Sequence, residues 1–285
     1  MRVHLCGVRG STPAPGSDFA GVGGHTSCVA IAHDGGTPRL VLDAGTGLRT
    51  LSALLEGRPF VGTIVLSHLH WDHMMGLPFF AAGDHPDARV RLLMPAQDTA
   101  SADGHGEAEA LLERMMSPPA FPITPAQLRG DWSFETYDEG ERELEGFTVT
   151  TREIPHTGGR TMGLRVAVAG RSITYMSDHA PHQLGPGASG VGELHRAARE
   201  LASGADVLIH DAQYTRTELP DRFTWGHAAA DYPVELAEAC GVGRVLMFHH
   251  DPTRTDAAVA ALHAEVAATT DVVVYVAVEG TTIDV

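Results

Sequence analysis

The run Thr63-Ile64-Val65-Leu66-Ser67-His68-Leu69-His70-Trp71-Asp72-His73 is the most informative in the chain. Its first four residues are β-branched or apolar and read as a buried strand. Three imidazoles and one carboxylate then fall within six positions. In an extended chain, residues two apart point the same way, so His68 and His70 converge on one point. Asp72 and His73 come where the chain bends and face a second point nearby. Met74 to Phe80 reads as a short helix or turn that packs on the core. Zinc takes imidazole nitrogen and carboxylate oxygen at about 2.0–2.2 Å. One ion does not readily use all four groups at this spacing, whereas two adjacent ions do. For a lone histidine a core or surface role would prevail; for His-x-His-x-Asp-His at a strand end the metal reading prevails.

Two ions need more donors, and three stand at the ends of other apparent strands. His156 follows Thr151-Arg152-Glu153-Ile154-Pro155, Asp178 follows Ile173-Thr174-Tyr175-Met176-Ser177, and His249 follows Val245-Leu246-Met247-Phe248. A single polar residue there is a chain stepping out into solvent; the recurrence beside the central cluster points to a shared site. His249 and His250 compete for one role. His249 is the first residue past its strand and is preferred, which leaves His250 as a group that supports a ligand or contacts the substrate. Asp43 precedes Ala44-Gly45-Thr46-Gly47 and is either a turn former or the carboxylate that receives the second N–H of a ligating histidine.

Around these residues, strands are expected over 3–6, 28–32, 39–42, 63–66, 90–94, 147–154, 163–169, 172–176, 205–210, 244–248 and 271–276. Helices are expected over 48–55, 108–116, 191–203, 228–240 and 256–268. The stretch from about 95 to 140 breaks the rhythm, because Ser117-Pro118-Pro119-Ala120-Phe121-Pro122-Ile123-Thr124-Pro125 excludes regular structure. It reads as an insertion, either a lid with Met115, Met116 and Phe121 turned to a substrate or a surface elaboration. Apolar strands that end in polar clusters, with helices later in each half, fit an α/β, four-layer αββα sandwich. No linker divides the 285 residues, so a single domain over 1–285 is expected.

Bulk properties narrow the partners. The formal charge is −16 and every basic side chain is Arg, with no Lys. That argues against holding long nucleic acid by its phosphates, without excluding it. It also removes Schiff-base and lysine-base chemistry. Three cysteines, Cys6, Cys28 and Cys240, lie far apart in apolar surroundings and imply no disulfide framework. The first residues read as a strand and not a signal peptide, and no stretch is apolar enough to span a bilayer, so a cytoplasmic protein without membrane contact is expected. The reading allows a homodimer.

The central cluster resembles the signature of the metallo-β-lactamase fold superfamily, the binuclear metallohydrolases. The resemblance implies the same four-layer fold and two divalent ions, zinc first, with manganese or iron as alternatives. It makes His68, His70 and His156 the ligands of one ion and Asp72, His73 and His249 those of the other, with Asp178 bridging both. Asp72 also counts among the catalytic groups. The bridging Asp178 separates the chain from the β-lactam-cleaving members, and His70 separates it from the flavin-partnered diiron oxygen reductases, which carry Glu there.

Two further stretches are similar to motifs of the ribonuclease Z-like branch. Asp206-Val207-Leu208-Ile209-His210-Asp211-Ala212 matches an acid after a strand, and Trp225-Gly226-His227-Ala228-Ala229 matches a His that opens a helix. In that branch the acid orients the His, and the His serves the leaving group. Here Asp211 stands in place of Glu and Ala228 in place of Ser. Arg9, in Gly7-Val8-Arg9-Gly10-Ser11, together with Gly24-His25-Thr26-Ser27, matches another motif of the branch. Arg9 either helps to cradle a substrate phosphate or pairs with a core carboxylate.

The expected function is a hydrolase, a phosphodiesterase acting on small, cyclic-nucleotide-like phosphodiesters. A hydroxide held between two ions about 3.5–4 Å apart attacks phosphorus. The first alternative is a ribonuclease Z-like endonuclease that processes tRNA 3′ ends; the long basic arm such an enzyme uses for tRNA is not found in the sequence. The second is a lactone, ester or thioester hydrolase on the same ions, which would not need Asp211 with His227.

Overall fold

In this computed structural model the described residues are 1–97 and 107–285. Their strands form two seven-stranded sheets. The first contains β1 (Arg2–Gly7), β2 (Cys28–Ala32), β3 (Leu40–Leu42), β4 (Val61–Val65), β5 (Arg89–Pro95) and β6 (Asp131–Tyr137). The second contains β7 (Gly140–Leu144), β8 (Phe147–Ile154), β9 (Thr161–Val168), β10 (Arg171–Met176), β11 (Val207–Asp211), β12 (Arg244–Phe248) and β13 (Val273–Val276). β14 (Thr282–Asp284) returns to the first sheet and pairs antiparallel with β1. The helices are α1 (Leu48–Leu54), α2 (Glu107–Glu113), α3 (Arg196–Ala202), α4 (Tyr232–Cys240) and α5 (Asp256–Ala267).

Period-two alternation makes the four layers. In β10, Ile173 and Tyr175 face the space between the sheets, while Met176 faces the outer helices. In β12, Leu246 and Phe248 face inward, and Val245 and Met247 outward. In β4, Val65 joins the inter-sheet core, and Ile64 packs outward with Leu48 and Leu51 of α1. Three apolar clusters result: one between the sheets, one under α3, α4 and α5, and one under α1 and α2.

Strand directions position the site. β3 through β6 run parallel, as do β10 through β13. β9 is antiparallel to both β8 and β10, so β8 runs with β10. The C-terminal ends of β8, β10, β11 and β12 therefore share one edge of the second sheet, the edge where open sheets of this kind place their ligands.

Several expectations need correction. The stretch from 95 to 140 is not wholly an insertion: Asp131–Tyr137 pairs in parallel with β5, and Gly140–Leu144 pairs with β8. β6 is half exposed along its length, so it lacks the apolar run that marks a strand. Residues 98–106 of that stretch lie outside the described residues. The helix expected over 191–203 starts only at Arg196, since Gly190 and Gly192 take φ of 86° and 138°. The helix expected over 228–240 starts at Tyr232, because Tyr214 hydrogen-bonds Ala228 O and Ala230 N and holds that segment extended. His227 thus precedes the helix by several residues and does not open it.

Candidate metal centre

After β4 the chain stays extended through His70 (φ −72°, ψ 153°), then makes one tight turn over Trp71–His73. His68 and His70 accordingly face one point, and Asp72 and His73 another. β8 delivers His156, β10 delivers Asp178, and β12 delivers His249. Three groups form among the described residues: His68, His70, His156 and Asp178; Asp72, His73, Asp178 and His249; and Asp211, His227 and His249, the last without Asp178. Within each, the ligand atoms lie within 4.8 Å of one another. Asp178 belongs to the first two, one oxygen to each. Its Oδ2 lies 3.8 Å from His68 Nε2 and 3.7 Å from His156 Nε2. Its Oδ1 lies 3.0 Å from His73 Nε2 and 3.2 Å from His249 Nε2.

The outer nitrogens of four of the histidines are tied back. His73 Nδ1 donates to Asp43 Oδ2 at 2.7 Å. His249 Nδ1 donates to Gln213 Oε1 at 2.8 Å, and His156 Nδ1 to the Gly226 carbonyl at 2.6 Å. His68 Nδ1 lies 3.0 Å from Ser67 Oγ, which in turn donates to Asp43 Oδ2 at 2.9 Å. In a neutral ring such a bond puts the proton on Nδ1 and turns the Nε2 lone pair toward the centre, as for His68 and His156. Asp43 also accepts from the Ser67 amide at 2.6 Å and from the Tyr175 hydroxyl at 2.7 Å. It thus sits behind the ligands and braces two of them.

The donor set fits divalent cations. His68 Nε2, His73 Nε2 and Asp178 Oδ1 are buried without a hydrogen-bond partner among the described residues. Such atoms in a native interior call for an ion. Asp43, Asp72, Asp178 and Asp211 are all buried, and the ion-pair partners of each are histidines. Neighbouring carboxylates without arginine or lysine need positive charge from elsewhere. Burial holds His156 down to about 4 and His68 well below its ordinary value, and both therefore stay neutral, the ligating form. Burial alone would lower His73 too, but Asp178, Asp72 and Asp43 push it well above. Mixed nitrogen and oxygen donors around two points, with one shared carboxylate, suit zinc, manganese or iron.

Beside the first two groups stands a dyad. Asp211 Oδ2 accepts from His227 Nδ1 at 2.9 Å and from the His179 amide at 3.2 Å, and Asp211 Oδ1 accepts from the Gln213 amide at 2.9 Å. Burial alone would lower His227, but the charge and hydrogen bond of Asp211, with Asp178 and Asp72, hold it above its ordinary value. His227 Nδ1 lies 3.6 Å from Asp178 Oδ2, and the ring stacks on His249 at 5.0 Å. Its Nε2 has no hydrogen-bond partner among the described residues and is not sealed from solvent.

Two expected substrate-binding residues are placed elsewhere. Residues 8–10 pair with the backbone of His250, and Gly10 packs on the His249 ring. A Cβ at Gly10 would lie 2.6 Å from Gln213 Oε1, so only glycine fits. Arg9 therefore points the opposite way. It is fully buried, its Nε donates to Gly23 O at 2.7 Å, and its other nitrogens reach Asp251 O, Arg254 O and Asp256. It pins loops together, and its contact with Asp256 matches the second of its two expected roles, pairing with a carboxylate. His250 is 1% exposed and its Nε2 is engaged with the Ala277 carbonyl. Burial pushes its pKa down to about 3. It comes directly after a residue at φ 55°, the left-handed His249, and that turn sends the two side chains apart.

Gln213 and Ser67 are not singled out by the sequence. Gln213 stands two residues past Asp211, and a glutamine in the run Ala212-Gln213-Tyr214 is the available signal. Gln213→Leu is expected to weaken one of two ions about 10–100-fold, as loss of a partner behind a ligating histidine generally does. Competition against a graded chelator, followed by elemental analysis, measures this; unchanged retention of both ions would remove Gln213 from the site.

The chain resembles known proteins along its length. The family model for the beta-lactamase superfamily domain matches residues 38–250. A ribonuclease Z of Exiguobacterium sp. (strain ATCC BAA-1283 / AT1b) is 22% identical over 296 residues, covering 87% of this chain and 88% of the relative. Among solved structures, the metallo-beta-lactamase fold protein YhfI from Bacillus subtilis superposes with a TM-score of 0.71 at 16% identity, over 99% of this chain and 98% of that one. A diphosphatase from the PhnP family superposes with a TM-score of 0.70 at 16% identity, over 100% of this chain and 97% of that one.

Proposed function

Since this chain belongs to the beta-lactamase superfamily and is a metal-dependent hydrolase with a binuclear divalent site, we propose that it cleaves small phosphodiesters. One observation carries this reading: the Asp211–His227 pair stands 3.6 Å from the shared carboxylate of Asp178. Ester and lactone hydrolysis has less need of a proton donor fixed at that place. Divalent ions bound there would supply Lewis acidity and an activated water.

In this reading His68, His70 and His156 would hold one ion, Asp72, His73 and His249 the other, and Asp178 would serve both. Asp43, Gln213 and the Gly226 carbonyl keep the imidazoles in register. The Ser11 amide donates to Asp72 Oδ2 at 2.7 Å and fixes that carboxylate. Asp211 holds the His227 imidazole with Nδ1 protonated and Nε2 turned outward. His227 gives its Nε2 proton to the departing oxygen.

The ribonuclease Z relative favours a second reading, an endonuclease acting on RNA. The charge of −16 weighs against it, because every RNA phosphate brought to the surface adds repulsion. A panel of small phosphodiesters, a tRNA precursor, a phosphomonoester and a lactone, offered to zinc- and manganese-loaded protein, tests the choice. The expected result is the highest kcat/KM on a small phosphodiester. A lactone or the tRNA precursor turned over faster than every small phosphodiester would overturn it.

A further inference from the structure

An apolar pocket of about 260 Å³ adjoins the metal turn. Trp71, Met74 and Met75 form one wall, and Leu112, Met115 and Phe121 the other. Trp71 stands between His70 and Asp72, and Met74 comes directly after His73, so this wall is a continuation of the ligand turn itself. The walls are linked: Trp71 Nε1 donates to Met115 Sδ at 3.1 Å, and Phe79 meets Phe121 edge-on at 5.9 Å. Trp71 and Phe79 remain 67% and 62% exposed. Large apolar rings left in water around a concave surface mark a place where something apolar binds.

The lining decides the class of ligand. Among the described residues it holds no charged side chain, so these offer nothing to a phosphate. It has little to satisfy the hydroxyls of a sugar, and burying those without partners is costly. Four of its residues are methionines, whose flexible thioethers adapt to rings and branched chains. An apolar cavity of about 150 Å³ accommodates benzene. The larger volume here suits one ring with a few more carbons.

We propose that this pocket receives an apolar arm of the substrate, a single aromatic ring or a short branched alkyl group esterified to the phosphorus that is attacked. This rests on the phosphodiesterase reading, and it makes aryl and alkyl phosphodiesters better substrates than nucleotides.

The test compares p-nitrophenyl phenyl phosphate with p-nitrophenyl methyl phosphate on metal-loaded protein, and, by calorimetry, the binding of phenylphosphonate with that of methylphosphonate. The leaving group is constant in the first pair, and no reaction is required in the second. The phenyl compounds are expected to lead by roughly 10- to 100-fold, from roughly fourfold for each buried carbon and partial burial of the ring. In Phe121→Arg the lead should fall toward one, with metal content unchanged by elemental analysis. Phe79→Ala, at an exposed position where folding is not at stake, should reduce it several-fold. Equal phenyl and methyl values in both experiments would overturn the pocket while leaving phosphodiester hydrolysis in place. Preferential phenylphosphonate binding without turnover of either diester would uphold the pocket and overturn the phosphodiesterase reading. A phenyl preference that survives both variants would place the apolar arm elsewhere and overturn the proposal.

Discussion

Asp178→Ala is expected to empty both metal sites together and to lower hydrolysis by roughly 10³–10⁵-fold, from the several kcal/mol that metal ions contribute at about 1.4 kcal/mol per tenfold. Each oxygen of this carboxylate faces a different set of imidazoles, Oδ2 toward His68 and His156 and Oδ1 toward His73 and His249. Of the two groups that meet at Asp178, the other members serve one each. The contrast is therefore with His68→Ala or His249→Ala, which remove a donor from one group and should leave the other ion in place more readily. Elemental analysis after dialysis measures the stoichiometry, and thermal melting shows whether the variant remains folded. Asp178→Asn sharpens the test, because it keeps the size and one oxygen while removing the charge. If Asp178→Ala retained two ions per chain, the carboxylate would be a bystander and the assignment of the centre would fall.

The central cluster is legible because its geometry is local. Two imidazoles one residue apart on an extended chain must share a side, and a turn after them must redirect the next pair, whatever the rest of the fold does. His156, Asp178 and His249 are legible for a related reason: each follows within two residues of a strand's end, and parallel strands in one sheet end at one edge. The fold is readable from the same strands. The illegible part depends on contacts far apart in sequence. Gln213 matters only because β11 and β12 are neighbours, which sets its amide against His249. Arg9 carries a phosphate-binding alternative in the sequence, but the pairing of residues 8–10 with His250 reverses its direction. Its donors are taken by carbonyls of residues 23, 251 and 254, a destination that no local pattern encodes. His250 is misjudged for the same reason, since a single left-handed residue, His249, redirects the side chain after it. β6 escapes notice because an edge strand with a single fully buried side chain carries little apolar signal.

His227→Ala is expected to divide substrates by their leaving groups while leaving the metals bound. His227 joins neither set of donors that shares Asp178; its own grouping is with Asp211 and His249, and there its Nδ1 is engaged by Asp211 at 2.9 Å. Its loss therefore removes a proton donor and not a metal donor. General acid catalysis contributes about 10²–10⁴-fold where the departing oxygen is basic. A diester that releases an alkoxide should lose that much in kcat. One that releases p-nitrophenolate departs readily without a proton and should lose less than about tenfold. Asp211→Asn should show the same division more weakly. An asparagine still accepts from Nδ1 through its oxygen, but it no longer supplies the charge that holds the imidazole above its ordinary pKa. Rates for a series of aryl and alkyl esters sharing one retained group give the dependence on leaving-group pKa, and elemental analysis of the same preparations excludes metal loss. The variant should show the steeper dependence, because protonation by His227 is what flattens it in the parent chain. An equal loss across the whole series would make His227 an anchor for substrate and would leave the departing oxygen to be protonated by another group.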